Sequence, residues 1–259
     1  MQWWCSATGH PWTWAWQWYP GVHLMVVAVA LAWWRAGRRW SHRPYRWFVA
    51  GWILLLASLD WPIGKLGAGY LASAHTLQFI LLTVGAAPLL IRSVPAEAWI
   101  ARASRPTSPL RTIANPVAGV LTYNFIVIIT HFPTVVDNAM KSQLGSLAID
   151  LSWLVAGFLL WWPMLAPRSI RRLGVFGTLL YIFAAGAIPT IPAMMMVFSD
   201  WPLYGLYELA PRVWPHFTAN DDLKLAGLSM KIIGELPLWA TAFIVFIRGT
   251  SADGELVDT

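Results

Sequence analysis

The stretch LAIDLSWLVAGFLLWWPMLAPRSIRR, residues 147–172, decides how this chain must fold. Its first part, Leu147–Leu165, carries one charged residue, Asp150, and the remainder carries Arg168, Arg171 and Arg172. A helix needs roughly 20 predominantly apolar residues at about 1.5 Å each to cross the hydrocarbon core of a bilayer. Leu147–Leu165 meets that length, and the arginines behind it mark a short basic loop of the kind retained in the cytoplasm.

The same pattern repeats outward in both directions. Apolar blocks occupy Tyr19–Trp34, Tyr45–Leu59, Ala74–Ile91, Ile113–His131, Leu147–Leu165, Leu173–Phe198 and Leu223–Ile247. The second is short and continues past Asp60 or sits where the bilayer thins; Pro189 and Pro192 should kink the sixth. Composition agrees, with 58% hydrophobic residues and 12% charged in 259 residues and a mean hydropathy of +0.55. A soluble domain carries roughly 25% charged residues. Long blocks rather than alternating residues exclude a transmembrane barrel. The expected fold is an all-α membrane protein, a bundle of seven transmembrane helices forming one domain over residues 1–259. A short Trp-rich outer tail (1–18) precedes it and a cytoplasmic tail (249–259) follows.

Charge then sets direction. Arg35, Arg38, Arg39, Arg43 and Arg46 separate the first two blocks; Arg92, Arg102, Arg105 and Arg111 separate the third and fourth. With Arg168, Arg171, Arg172 and Arg248, thirteen of the eighteen basic residues fall on one side. The opposite side has Lys65, Lys141, Arg212 and Lys224, and Lys231 lies inside the last block. The positive-inside rule makes the chain N-out and C-in. The net charge of +6 thus reads as a topology signal, and no basic-aromatic surface for nucleic acid is present. No basic residue precedes Arg35, so a cleavable signal is not expected and the mature chain should begin at Met1. Trp3, Trp4, Trp12, Trp14, Trp16 and Trp18 in the tail read as an interfacial aromatic belt. The single cysteine, Cys5, has no partner for a disulfide or a paired-cysteine metal site.

Orientation collects chemistry at the outer end. His75 opens the third block, His131 closes the fourth, and Asp60 and Asp150 lie at the same depth, as do His23, Met25, Met230 and the run Met194, Met195, Met196. His10 and His216 lie in outer segments, and only His42 is cytoplasmic. Imidazole and thioether together suit copper, the thioether selecting the monovalent ion; ionisable groups within a membrane point to function. The structural alternative is helix-end histidines bonded to neighbouring carbonyls and methionines filling gaps. Two further readings stay open. Lys231 and Glu235, one helical turn apart, suit a self-neutralising pair; a retinal Schiff base on Lys231 would need a carboxylate on Ala74–Ile91, which has none. A haem between His75 and His131 is geometrically conceivable. No nucleophile elbow, phosphate loop or zinc-protease motif occurs, and the expectation is a protein that is not an enzyme.

Several landmarks together resemble the CtaG-type assembly factors of bacterial haem-copper cytochrome oxidases. They are Tyr19-Pro20 before the first block, Ser73-Ala74-His75-Thr76-Leu77-Gln78 opening the third, and Ala86-Ala87-Pro88-Leu89-Leu90 closing it. His131-Phe132-Pro133 and Leu160-Trp161-Trp162-Pro163 follow, then Asp221-Asp222 and Leu225-Ala226-Gly227-Leu228-Ser229-Met230. Their order spans about Tyr19 to Arg248. The chain departs from the family pattern at Phe79 and Ser146, where histidines are usual, and at Lys231, where tryptophan is usual.

The resemblance implies a factor in the bacterial cytoplasmic membrane that helps mature an oxidase and handles copper on the outer face. In that picture His75 and His131 are ligands, Asp150 is a third ligand or a support for them, and Met194, Met195 and Met196 are a reserve of soft ligands. The implied partners are haem-copper oxidase subunits within the lipid bilayer. The competing reading is a permanent structural subunit of a respiratory or related membrane complex, in which lost histidines reflect a changed role.

Overall fold

The computed structural model describes residues 2–37, 44–105, 108–167, 169–170 and 173–257. Arg38, Arg39, His42, Arg43, Arg168, Arg171 and Arg172 lie outside the described residues. All regular structure among those described is helical. The helices are α1 (Pro20–Gly37), α2 (Tyr45–Leu59), α3 (Ile63–Gly69), α4 (Ala72–Arg92), α5 (Ala96–Ala103), α6 (Pro109–Ile113) and α7 (Pro116–Thr130). They continue as α8 (Pro133–Ala139), α9 (Gln143–Leu165), α10 (Val175–Phe198), α11 (Gly205–Glu208) and α12 (Ala219–Ile232 continuing as Leu236–Val257).

Four of these, α4, α9, α10 and α12, are long and apolar enough to cross a membrane on their own. The number reaches six if each of two bent pairs counts as one span: α2 with α3, angled 41°, and α7 with α8, angled 69°. Past Asp60 and Trp61-Pro62 the second block is followed by the short helix α3. The first block forms α1, whose apolar part, Pro20–Ala36, is shorter than the other spans. In α10 the regular helix breaks between Ala187 and Thr190, at Pro189, where a proline cannot donate its backbone hydrogen bond. Large apolar side chains cover the outside, among them Leu24, Leu121, Phe125, Phe176, Phe183 and Phe243, each at least 60% exposed. A water-soluble surface does not gather such side chains along every helix; this is the surface of a multi-pass membrane protein.

Helix α4 is the central post. Its most apolar stretch is 72% buried, against 11% for α12. In a helix surrounded by protein, each polar group left without a partner costs free energy. Its N-terminus is held by Asp222 of α12, whose carboxylate accepts the backbone N–H groups of Ala72 at 2.6 Å and Ser73 at 3.1 Å and the Ser73 hydroxyl. The carboxylate thus satisfies donors that an α-helix leaves free at its start. Its neighbour Asp221 closes a capping box with Thr218 and starts α12. The acidic pair of the sequence is thereby divided between two helix starts.

Further along α4, Leu81–Ala86 takes the wider π winding. There the Thr83 carbonyl accepts the Trp161 indole N–H of α9 at 3.0 Å. Gly157 lets α9 come this close: a Cβ at that position would sit 2.7 Å from both the Ala87 Cβ and the Thr83 carbonyl oxygen. Such π segments concentrate at functional sites, and this one lies one turn beyond Phe79.

Two substitutions test this frame. Asp222→Ala is expected to destabilise the protein by about 2 kcal/mol, the sum of a lost cap and buried donors left unpaired. Gly157→Val should be more harmful, because backbone atoms would have to move. Equilibrium unfolding of the full chain in detergent measures both, and wild-type stability in either variant contradicts the packing described.

Candidate functional site

The two sequence-selected histidines meet. His75 sits in the first turn of α4 and His131 follows the last residue of α7, with ring centroids 6.4 Å apart. Both are nearly inaccessible, at 3% and 4% exposure. His131 is held by its own helix: Nδ1 lies 2.9 Å from the Val127 carbonyl oxygen. That bond requires Nδ1 to carry the proton and leaves a lone pair on Nε2. Nε2 of His131 has no hydrogen-bond partner, and neither does Nδ1 or Nε2 of His75. The bland alternative, histidines satisfied by carbonyls, describes one ring nitrogen of four.

Aromatic side chains wall the pair. Trp153 of α9 packs edge-on to His75 at 4.6 Å, Phe79 edge-on to His131 at 4.9 Å, and Tyr207 lies 5.9 Å from His75. Each wall is anchored. Trp153 donates its indole N–H to the Thr130 hydroxyl at 2.9 Å, and Tyr207 donates its hydroxyl to the Gly67 carbonyl at 2.6 Å. Burial pushes the Tyr207 phenol well above its ordinary pKa, so it remains a donor. Gly67 is required where α3 meets α4, because a Cβ there would lie 2.8 Å from Gln78 Oε1 and 3.0 Å from the His75 backbone.

Asp150 stands beside this pocket with both oxygens in use. Oδ2 accepts the Trp4 indole N–H at 2.8 Å and Oδ1 accepts the Gln78 side-chain amide at 2.8 Å. Among the described residues, no three or more His, Cys, Asp and Glu side chains group as metal ligands. Met196 is fully buried; the Tyr204 hydroxyl that donates to the His131 carbonyl at 3.0 Å also lies 3.8 Å from its sulfur. Met194 packs half-buried against the core and Met195 is 53% exposed. His23 and Asp60 form a separate pair at 3.5 Å. Lys231 meets Glu235 at 2.6 Å and donates to the Thr190 hydroxyl at 2.7 Å, while the Trp239 indole N–H reaches Glu235 at 3.2 Å.

The N-terminal tail departs from the aromatic-belt expectation. Trp14, Trp16 and Trp18 are exposed, as a belt requires, but Trp4 and Cys5 are 1% exposed. The tail is threaded into the bundle: the Gln143 side-chain oxygen accepts the Trp3 and Trp4 backbone N–H groups at 2.7 and 3.1 Å, and Ala7 N–H donates to the Met140 carbonyl at 2.9 Å. Lys65, assigned to an outer loop by sequence, is 2% exposed and donates to the Ser6 carbonyl at 3.0 Å. The Cys5 thiol donates to the Leu59 carbonyl, and burial, followed by the charge of Asp150, pushes its pKa well up. Sequence reasoning missed Trp4, Gln78, Trp153 and Tyr207. Gln78 was already visible in the Ser73–Gln78 landmark, whereas nothing distinguished Trp4 from the tail's other tryptophans.

The fold and this pocket define a class, helical membrane proteins that bury an imidazole pair under one end of the bundle. The family model for the cytochrome c oxidase caa3 assembly factor matches residues 24–251, and the chain belongs to that family. No curated protein and no solved structure matches it.

Trp4→Phe keeps an aromatic ring in the tail and removes the N–H to Asp150 together with part of the indole. It is expected to cost about 1–2 kcal/mol and to speed proteolytic cleavage within the first 18 residues. Timed digestion of the intact protein reads this out, and unchanged cleavage would show that the indole does not anchor the tail.

Proposed function

We propose that this protein is a non-catalytic assembly factor for a bacterial haem-copper oxidase, and that the His75–His131 pair is where it handles copper. The observation that carries the reading is the three partnerless ring nitrogens inside a buried aromatic cluster. Buried polar atoms are nearly always hydrogen-bonded, so lone pairs left free on adjacent imidazoles mark a place for something that binds there. Neutral imidazoles suit a monovalent copper ion, and a thioether such as Met196 adds a soft donor. The residues present fit the metal as two histidine ligands. Val127 orients the His131 ring, Trp153, Phe79 and Tyr207 keep water out, and Asp150 ties Trp4 of the tail to Gln78 of α4. Copper bound there would be cargo for the oxidase.

The same reading places the chain in the cytoplasmic membrane as seven spans with the N-terminus outside. Its support is the gathering of arginines between alternate blocks, together with α1, whose length a thinned bilayer or flanking residues could accommodate. In this orientation the histidine pair faces the side where an oxidase's copper is delivered.

Copper analysis after loading under reducing conditions tests the ligands: wild type should retain metal, and the His75→Ala, His131→Ala double variant should lose it. Equal, negligible copper in both would sink the ligand assignment. A deletion strain should lose oxidase activity and oxidase copper; normal values would sink the assembly role. For topology, Trp16→Cys in a Cys5→Ser background should react with a membrane-impermeant maleimide on intact cells, and Arg102→Cys should react only after lysis. The reverse pattern would invert the orientation.

A further inference from the structure

At the opposite end of the bundle from the histidine pair lies a cavity of about 650 Å³, lined from α2, α4, α5, α9, α10 and α12. Its volume is in the range of built ligand sites, roughly 300–1,000 Å³. Arg92 at the end of α4 and Arg248 near the end of the last span both line it, and among the described residues no carboxylate does. Among the described residues neither arginine forms an ion pair. The rest of the lining is mainly apolar and aromatic, including Trp47, Trp99, Trp161 and Val245.

The walls are set before any ligand arrives. The Arg92 guanidinium lies 5.1 Å from the Trp47 ring, which Arg46 also approaches at 5.1 Å; a cation over an indole is held in place by the ring's electrons. Trp99 donates its indole N–H to the Ile91 carbonyl at 3.1 Å and Trp161 is bonded to Thr83. Both indoles are thus committed, and they present ring surface to the cavity.

We propose that this cavity binds one anionic phospholipid, its phosphate between Arg92 and Arg248 and its acyl chains along the apolar wall. Two guanidiniums on one cavity, with no acid among the described residues lining it, favour an anion there. Arginine matches phosphate with paired hydrogen bonds. An apolar cleft that opens between membrane helices beneath basic residues is where an anionic headgroup and its chains fit together. A soluble anion uses only the arginines, whereas a phospholipid uses both halves of the cavity.

Native mass spectrometry of the full chain in detergent, titrated with phosphatidylglycerol or phosphatidylcholine, tests this. Wild type should retain one phosphatidylglycerol at about tenfold lower lipid concentration than phosphatidylcholine, the effect of a charge-assisted pair. Arg92→Gln with Arg248→Gln should bring the two lipids to within about twofold, while Arg105→Gln, outside the cavity, should keep the preference. Val245→Trp, which fills the cavity and leaves both arginines, should also abolish retention, and it keeps the test decisive if the double variant does not fold. Equal retention of both lipids by wild type, or an unchanged preference in both the double and the Val245→Trp variants, would overturn the proposal. Displacement of the lipid by millimolar inorganic phosphate would assign the arginines to a soluble anion and overturn it as well.

Discussion

The carboxylate of Asp222 at the start of α4 is the interaction on which the rest of the structure depends. Helix α4 is enclosed by protein and carries His75, Gln78 and Thr83, so its height and rotation decide where every polar group of the interior falls. A helix start has free N–H groups, and within a membrane protein water cannot be relied on to satisfy them. Asp222 supplies the acceptors from α12, tying the last long helix to the central one. Once that end is set, the π segment and Gly157 set the other, through the bond from Trp161 to the Thr83 carbonyl.

From this post the candidate site follows by packing. Trp153, Phe79 and Tyr207 surround two imidazoles with ring surface, and each ring that has a polar atom spends it on a neighbouring helix or loop. Three of the pair's four ring nitrogens are left without a partner, and among other buried side-chain atoms Gln78 Oε1 and Ser146 Oγ are too. Asp150 belongs to the surrounding frame in this geometry, since its two oxygens already join the tail to α4. A carboxylate so engaged contributes position.

The two ends of the bundle are chemically unlike. One end is closed by a tail that inserts Trp4, Cys5 and Ser6 into the interior and covers neutral donors. The other is open and basic, with Arg92 and Arg248 on a shared cavity. A metal-handling pocket gains from exclusion of water and of competing charge, whereas a lipid contact gains from exposed guanidinium groups beside apolar walls. One bundle can hold both of the proposed sites because some 20 residues of helix separate the two ends.

By itself the sequence determined the helical membrane class and the block boundaries to within a few residues, because long apolar runs and charged loops are one-dimensional signals. Lys231 and Glu235 were legible as a pair for the same reason, being one turn apart on a single helix. What only the tertiary structure decided was everything joining distant segments. Asp222 serves α4 rather than its own helix, Asp150 joins Trp4 of the tail to Gln78 of α4, and Trp4 is core while Trp16 is surface. Periodicity within a helix says nothing about which neighbour a side chain meets across the bundle. Close approaches at Gly67 and Gly157, and the bends after Leu59 and Thr130, exist only once helices are packed.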